Sequence, residues 1–346
     1  MIDDMKNKID QELDSFLKYI DKKFALRSIS PLLYAHIKEY VLRDGKRARP
    51  ILFLTGYLGY AKKQAPKLYT SALAIEFIHD FMLIHDDIID KSNQRRGKPS
   101  SHFIFNRYLS RFKECKFTGE DLSLVVGDIM HAISIEAFMS IKEKPQRKEK
   151  ALGELVKAAT LTGAGQFIEL LSGIIKLDDL KKNDVYKIYD YKTARYTFAS
   201  PLVVGATLAG ASPKEINTLF NYGLHLGRAF QIKDDILGVF GKQKEIGKSV
   251  LCDIQEAKRT LLIWYTYQKG SLKQRKFIQS IFNKSRITHK DLKNIQKIMI
   301  ETGSLLYAKT EIKKLEKRSH QLLQRLHIRK KEKDFLSFYS AKVLKI

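Results

Sequence analysis

The chain has 346 residues with 63 Lys and Arg against 38 Asp and Glu, long enough for one large domain or two small ones with a real core. Hydrophobic residues at 44% and charged residues at 29% exclude a disordered chain, and two cysteines, Cys115 and Cys252, exclude a disulfide framework. Two thiols and a mixed-charge start without the apolar stretch of a signal peptide predict a soluble, cytoplasmic protein.

A net charge of +25 invites a nucleic-acid-binding reading, yet the basic residues are spread along the chain and concentrate only around 142–150 and in the C-terminal third. A lysine-rich solvated helix surface accounts for most of them, and no nucleic-acid partner is expected. The remainder would attract anionic substrates or an acidic membrane surface, so peripheral membrane contact is left open.

Apolar residues recur at three- and four-residue spacing almost everywhere. In chain order, Asp44-Gly45 reads as a stop ahead of Lys46, and a helix apolar on most sides is predicted over 68–89. Arg96-Gly97 with Pro99 reads as the next stop, and 110–120 as a polar loop or lid. Helices are predicted next over 122–141 and 152–175, then a nearly uncharged run over 198–213 too short to span a bilayer. Ser212-Pro213 opens a helix over 216–239, and another is predicted over 254–267. With no strand–helix alternation, repeat or linker, the expected fold is all-α, a large single-domain helical bundle of about a dozen helices.

Two aspartate clusters carry the chemistry. Asp86, Asp87 and Asp90 end the 68–89 helix, with Asp86 and Asp90 one turn apart on one face. Like charges at that spacing repel, and the dipole at a helix C-terminus opposes them further. Divalent cations would compensate, because magnesium takes carboxylate and phosphate oxygens, although a solvated acidic helix end remains the alternative. Asp234-Asp235 also sits late in an apolar helix, and the pairing predicts carboxylates facing each other across a cavity.

Cationic motifs accompany them: Lys46-Arg47-Ala48-Arg49-Pro50 after Gly45, Arg95-Arg96-Gly97, Lys192-Thr193, Gly247-Lys248 and Glu256-Ala257-Lys258. Arginine forks match phosphate oxygens bidentately and lysine acts as a point charge. Each alone is more often a surface charge than a ligand. Together they suit a site for two diphosphates, one held through metal and one directly.

In this order, Gly-Lys-Arg-x-Arg-Pro, Asp-Asp-x-x-Asp, Arg-Arg-Gly, Lys-Thr and Phe-Gln-x-x-Asp-Asp resemble the polyprenyl synthetase family over roughly 41–262, with C-terminal helices over 263–346. The resemblance implies the isoprenoid synthase fold around a central cavity, one polyprenyl synthetase domain over 1–346, and a homodimer. It also implies head-to-tail condensation of an allylic diphosphate with isopentenyl diphosphate, using about two to three Mg2+ ions per active site. Lys46, Arg49, His79 and Arg96 would hold the diphosphate of isopentenyl diphosphate. Asp86, Asp90 and Asp234 would bind magnesium, with Asp87 and Asp235 in support. Arg95, Lys192, Thr193, Gln231, Lys248 and Lys258 would contact the allylic substrate. A lone histidine is usually a satisfied core residue, but helical projection places His79 almost above Asp86.

Two departures stand out. Gly238 occupies the place of a third aspartate, and Glu169 replaces an aspartate in the Gly-Gln stretch, where a longer reach toward the metal or its waters is expected. A terpene cyclase has no need of Lys46, Arg49 and Arg96, and non-catalytic subunits commonly lose an aspartate motif. Phe81 and Met82, five and four residues before Asp86, are the candidates for limiting product length. The resemblance favours geranylgeranyl diphosphate, then farnesyl diphosphate, then longer polyprenyl products.

Overall fold

The computed structural model describes residues 2–241, 252–284 and 286–345, without the side chains of Cys252 and Asp253. Gly247 and Lys248 lie outside the described residues. The described chain is helical apart from connections and one two-residue-per-strand hairpin. It divides into two compact units, Met1–Leu152 with Val204–Gly210, and Gly153–Val203 with Ala211–Ile346.

In the first unit, α1 (Ile2–Phe24), α2 (Leu26–Ile29), α3 (Pro31–Val41) and α4 (Ala48–Tyr60) precede α5 (Leu68–Ile89). α6 (Ser101–Leu109) and α7 (Gly119–Met139) come after it. α5 matches its predicted span and is the hub: α1, α3, α4, α6 and α7 all pack on it. Its apolar run explains this, since Leu68, Ala72, Leu73, Ile75, Phe77 and Ile84 are at most 1% exposed. α7 starts earlier than predicted because Thr118 and Asp121 form a reciprocal cap, which ends the 110–120 loop at Thr118. On length and composition α7 could cross a membrane, with a mean hydropathy of 1.5 over its most apolar stretch. Yet Val126, Met130, Ile133 and Ala137 are buried, and the helix packs on α5 and α6.

The predicted stop at Arg96-Gly97 is a β-hairpin. β1 (Gln94–Arg95) pairs antiparallel with β2 (Lys98–Pro99) across a two-residue turn whose residues, Arg96 and Gly97, have φ of 55° and 72°. Two positive φ values are what a tight right-twisted hairpin demands. Glycine takes one without penalty, whereas Arg96 sits in the left-handed region at a cost.

The second unit is built on a long helix late in the chain. α8 (Pro145–Ser172) and α10 (Ser200–Ala209) both cross the unit boundary, and between them α9 (Lys182–Ile188) runs into a π-helical segment, Tyr189–Ala199, that α10 continues. α11 (Pro213–Phe240) opens on Ser212, which accepts from the Glu215 amide, with Pro213 at its first turn as predicted. The π-helical segment lies along α11 because Gly223 and Gly227 leave room: a Cβ there would stand 2.5 Å and 2.4 Å from the Cα atoms of Ala199 and Ala194. The predicted helix over 254–267 is instead two, α12 (Cys252–Gln255) and α13 (Leu261–Lys269). Ala257 takes φ of 50°, and the Thr260 side chain caps the second by accepting from the Ile263 amide. The chain ends with α14 (Leu272–Phe282), α15 (His289–Glu301), α16 (Ser304–Arg325) and α17 (Lys330–Leu344). α16 and α17 both pack on α11.

Gly227→Ala should destabilise the protein by about 1–3 kcal/mol, because a methyl group has no space against the π-helical backbone. Gly153→Ala, on exposed helix surface with nothing within 4 Å of the new Cβ, should stabilise by about 0.5–1 kcal/mol. Urea denaturation midpoints of the two variants test this opposite pair.

Candidate active site

Within the first unit, α5 carries five acids in fifteen residues: Glu76, Asp80, Asp86, Asp87 and Asp90, the last at its C-cap. Asp87 is fully buried, and its carboxylate accepts from Arg95 Nε at 2.8 Å and from Arg95 Nη2. Arg95 Nη2 also lies 3.5 Å from Asp86 Oδ2. Burial pushes the Asp87 carboxyl up, and the Arg95 fork opposes that shift. Arg95, expected on the allylic diphosphate, is therefore engaged with the aspartate motif itself. Asp86 and Asp90 stay half-buried on the shared face that the spacing predicted.

One to three turns back along α5 lies a basic cluster. Arg47, with a side chain only 2% exposed, donates to Glu76 Oε1 at 2.7 Å, Asp10 Oδ1 at 2.8 Å and the carbonyls of Val41 and Arg43. Arg96 Nη2 lies 3.2 Å from Asp80 Oδ1 and 3.9 Å from Glu76 Oε1. Burial, and then the field of Arg49, Arg96, Arg95 and Arg47, holds His79 well below its usual pKa. A histidine feeling four arginines marks the point where their positive fields converge, and it is neutral at pH 7. Lys46 is exposed and Arg49 half-buried beside this cluster. Sequence reasoning missed Arg47, although it lies inside the quoted motif, and missed Glu76, Asp80 and Asp10 altogether. A buried ion pair leaves no mark in spacing alone.

On the other side of α5, the Phe81 ring meets the rings of His85 and His131 at centroid distances of 4.8 Å and 5.2 Å. Phe81 and Met82 are both half-buried.

Within the second unit, Asp234 is exposed near the end of α11 while Asp235 is buried. Asp235 accepts from Gln231 Nε2 at 2.9 Å and from the Tyr189 hydroxyl. Gln231, expected on the allylic substrate, is thus engaged with its own motif. Tyr189 also accepts from the Leu261 amide at 2.8 Å, which joins the π-helical segment, α11 and α13 at one hydroxyl. Asp190 holds Arg228 through paired contacts of 2.5 Å and 2.6 Å, and Lys233 reaches the Val343 carbonyl at 2.8 Å. Lys192 and half-buried Thr193 project from the π-helical segment, and the Lys192 ammonium pairs with Glu169. The longer acid at 169 therefore reaches a lysine. Lys258 pairs with Glu256 at 2.8 Å. Gly238 is buried within helical backbone and is absent from the positive-φ glycines, so an aspartate there would be opposed by burial and not by conformation. The two aspartate motifs fall in different units.

Asp86 and Asp90 offer hard oxygen donors from one helix face that a ligand can reach. Among the described residues, no group of three or more acidic, histidine or cysteine side chains gathers into a cage. Such a donor set fits magnesium, which keeps waters and completes its shell with phosphate oxygens, better than it fits a metal enclosed by protein.

Residues 30–299 match the family model described as Polyprenyl synthetase. The chain is 31% identical to a geranylfarnesyl diphosphate synthase of Aeropyrum pernix, across 82% of this chain and 84% of that one. It is 30% identical to a geranylgeranyl diphosphate synthase of Saccharolobus solfataricus, across 76% and 75%. A geranylgeranyl pyrophosphate synthase from Corynebacterium glutamicum, solved with isoprenyl diphosphate and magnesium, superposes with a TM-score of 0.89 at 26% identity, covering 100% of this chain and 99% of that one.

Tyr189→Phe should leave helix content unchanged but destabilise the protein by about 1–3 kcal/mol, since buried Asp235 and the Leu261 amide both lose a partner. Thermal unfolding tracked by circular dichroism measures it.

Proposed function

Because the chain belongs to the polyprenyl synthetase family and is a prenyltransferase of the trans-isoprenyl diphosphate synthase type, we propose that α5 and its arginines hold two diphosphates side by side. One observation carries this reading. The same helix presents Asp86 and Asp90 at its end and, two turns earlier, His79 beside Arg49 and Arg96. Two turns of helix span about 11 Å, room for two phosphate groups with a short gap between their prenyl chains.

In this reading Lys46, Arg49, His79 and Arg96 bind isopentenyl diphosphate directly. Asp86 and Asp90 on α5, and Asp234 on α11, would each offer carboxylate oxygens to Mg2+, which would supply positive charge to neutralise the departing diphosphate. Arg95 acts at one remove: its fork on Asp87, with a further contact at 3.5 Å to Asp86, fixes the end of α5 that carries Asp86 and Asp90. Asp235, Gln231 and Tyr189 do the same for Asp234. Lys192 and Thr193, on the π-helical segment, would contact the allylic diphosphate through their side chains. Their carbonyl or hydroxyl oxygens, with Gln231, would steady the cation left by its departure, and Lys248 and Lys258 would be further contacts to the diphosphate. The apolar walls of α5 and α7 exclude water while that cation reacts with the double bond of isopentenyl diphosphate. Proton loss to the released diphosphate ends the cycle, so no side chain serves as a dedicated base.

Geranylgeranyl diphosphate is the proposed product. The support is Phe81, a half-buried aromatic five residues before Asp86 whose ring meets those of His85 and His131. A cytoplasmic homodimer completes the reading. Leu124, Val125, Ile135 and Met139 leave 42–55% of their surface exposed on α7, a face suited to a second copy. The exposed thiol of Cys115 suits a reducing compartment.

Asp86→Ala or Asp90→Ala should abolish condensation while circular dichroism stays unchanged; full turnover at ordinary magnesium would overturn the metal assignment. Arg96→Ala should raise KM for isopentenyl diphosphate roughly ten- to a hundredfold, with a much smaller effect on the allylic substrate. Phe81→Ala should shift labelled products to longer chains on thin-layer chromatography, and an unchanged product would move the length limit to another helix.

A further inference from the structure

Asp80 is an acid that the proposed chemistry does not use. It lies on α5 one turn after Glu76 and six residues before Asp86, with its side chain 0% exposed. Its Oδ1 is 3.2 Å from Arg96 Nη2, while its Oδ2 has no hydrogen-bond partner among the described residues. Arg96 Nη1 is likewise buried without one. A guanidinium in the left-handed turn of a hairpin is thus half-satisfied, held on one side by a carboxylate and open on another.

Glu76 cannot substitute for Asp80, because it accepts from Arg47 at 2.7 Å and stands 3.9 Å from Arg96. Arg47 is in turn committed to Asp10 of α1 and to two backbone carbonyls. The charged and titratable groups around Asp80 are Glu76 and His79 of α5, Arg47 and Arg49 around the start of α4, Tyr40 of α3, and Arg96 of the hairpin. On α7, Asp128 and His131 face His85 and Phe81, and Glu136 faces Tyr19 and Lys23. Burial, and then the Glu76 carboxylate, push the Asp80 carboxyl up to about 7, against the pull of Arg96, Arg47 and Arg49.

We propose that Asp80 is a positioning residue that holds Arg96 in the free protein and takes up a proton from water when a diphosphate engages that arginine. The physical reason is competition. A diphosphate on Arg96 brings negative charge next to a buried carboxylate and takes a share of its nearest cation. Protonation removes the repulsion and spares the desolvated charge. In consequence the acid's pKa is higher in the complex than in the free protein, so binding is strongest below the free-state pKa and weakens as pH rises through it. The proposal rests on the assignment of Arg96 to isopentenyl diphosphate.

The test compares KM for isopentenyl diphosphate between about pH 6.5 and 8.5 in the wild type and in Asp80→Asn, which keeps the shape and cannot titrate. Ionisation of the substrate cancels in the comparison. The wild-type KM should rise roughly five- to tenfold more than that of the variant, while KM for the allylic substrate keeps the same profile in both. Parallel isopentenyl diphosphate profiles would overturn the proposal. If Arg96→Ala leaves KM for isopentenyl diphosphate unchanged, the assignment of Arg96 itself fails. If Arg96→Ala raises KM but the two pH profiles run parallel, only the role of Asp80 fails. Should Asp80→Asn not fold, calorimetry on the unmodified protein decides. At about pH 8 a phosphate monoanion step near 6 is complete, so titration with isopentenyl diphosphate in two buffers of different ionisation enthalpy should report uptake of roughly half a proton per site or more. No uptake overturns the proposal.

Discussion

A helix enclosed by other helices cannot carry five acids without cations to match them, and that charge balance organises the first unit. Each acid on α5 that is buried has an arginine against it: Glu76 with Arg47, Asp80 with Arg96, Asp87 with Arg95. The arginines arrive from two connections and not from helices, Arg47 in left-handed backbone before α4 and Arg95 and Arg96 in the hairpin after α5. Short, locally strained connections are how this fold brings guanidinium groups against a buried helix face. Asp86 and Asp90, by contrast, remain half-buried at the end of the same helix.

The second unit solves a related problem with backbone. Asp235 is buried, and its partners come from its own helix through Gln231 and from Tyr189. Tyr189 begins the π-helical segment, whose wider turn changes the register of everything after it, including Lys192 and Thr193. That segment sits close to α11 because Gly223 and Gly227 present no side chain, and the Asp190–Arg228 pair fixes it lengthwise. C-terminal α17 contributes too, since Lys233 beside the aspartates reaches the Val343 carbonyl. Part of the basic C-terminal third thereby acts as a brace for the second motif.

Much of this was legible in the sequence. The span of α5, the Ser212-Pro213 start of α11, the all-helical class and the family were all readable from periodicity, capping residues and motif order. The errors share a cause. Arg96-Gly97 read as a helix stop because glycine and proline mark the end of an element without specifying the turn that the chain makes there. The single helix over 254–267 was broken by left-handed backbone at Ala257 and a cap at Thr260, signals too weak beside continuous apolar periodicity. The bonds that Arg95 and Gln231 make to their own aspartates were likewise invisible, although the family resemblance pointed to both residues. Long-range partners such as Asp10 to Arg47, or Tyr189 to Asp235, could not be read, since nothing local in a sequence records which distant groups meet.

By itself, then, the sequence determined what kind of groups lie on which faces: carboxylates at i and i+4 on the end of an apolar helix, cations in the turns around it, and hence the family and its chemistry. Helical periodicity is a local property, and local rules suffice to read it. Only the tertiary structure decided which of those charges are buried inside the protein and which keep contact with solvent. Burial is a property of the packed chain, and it separates Asp87 and Asp235, tied to Arg95 and Tyr189, from Asp86, Asp90 and Asp234 one residue or one turn away.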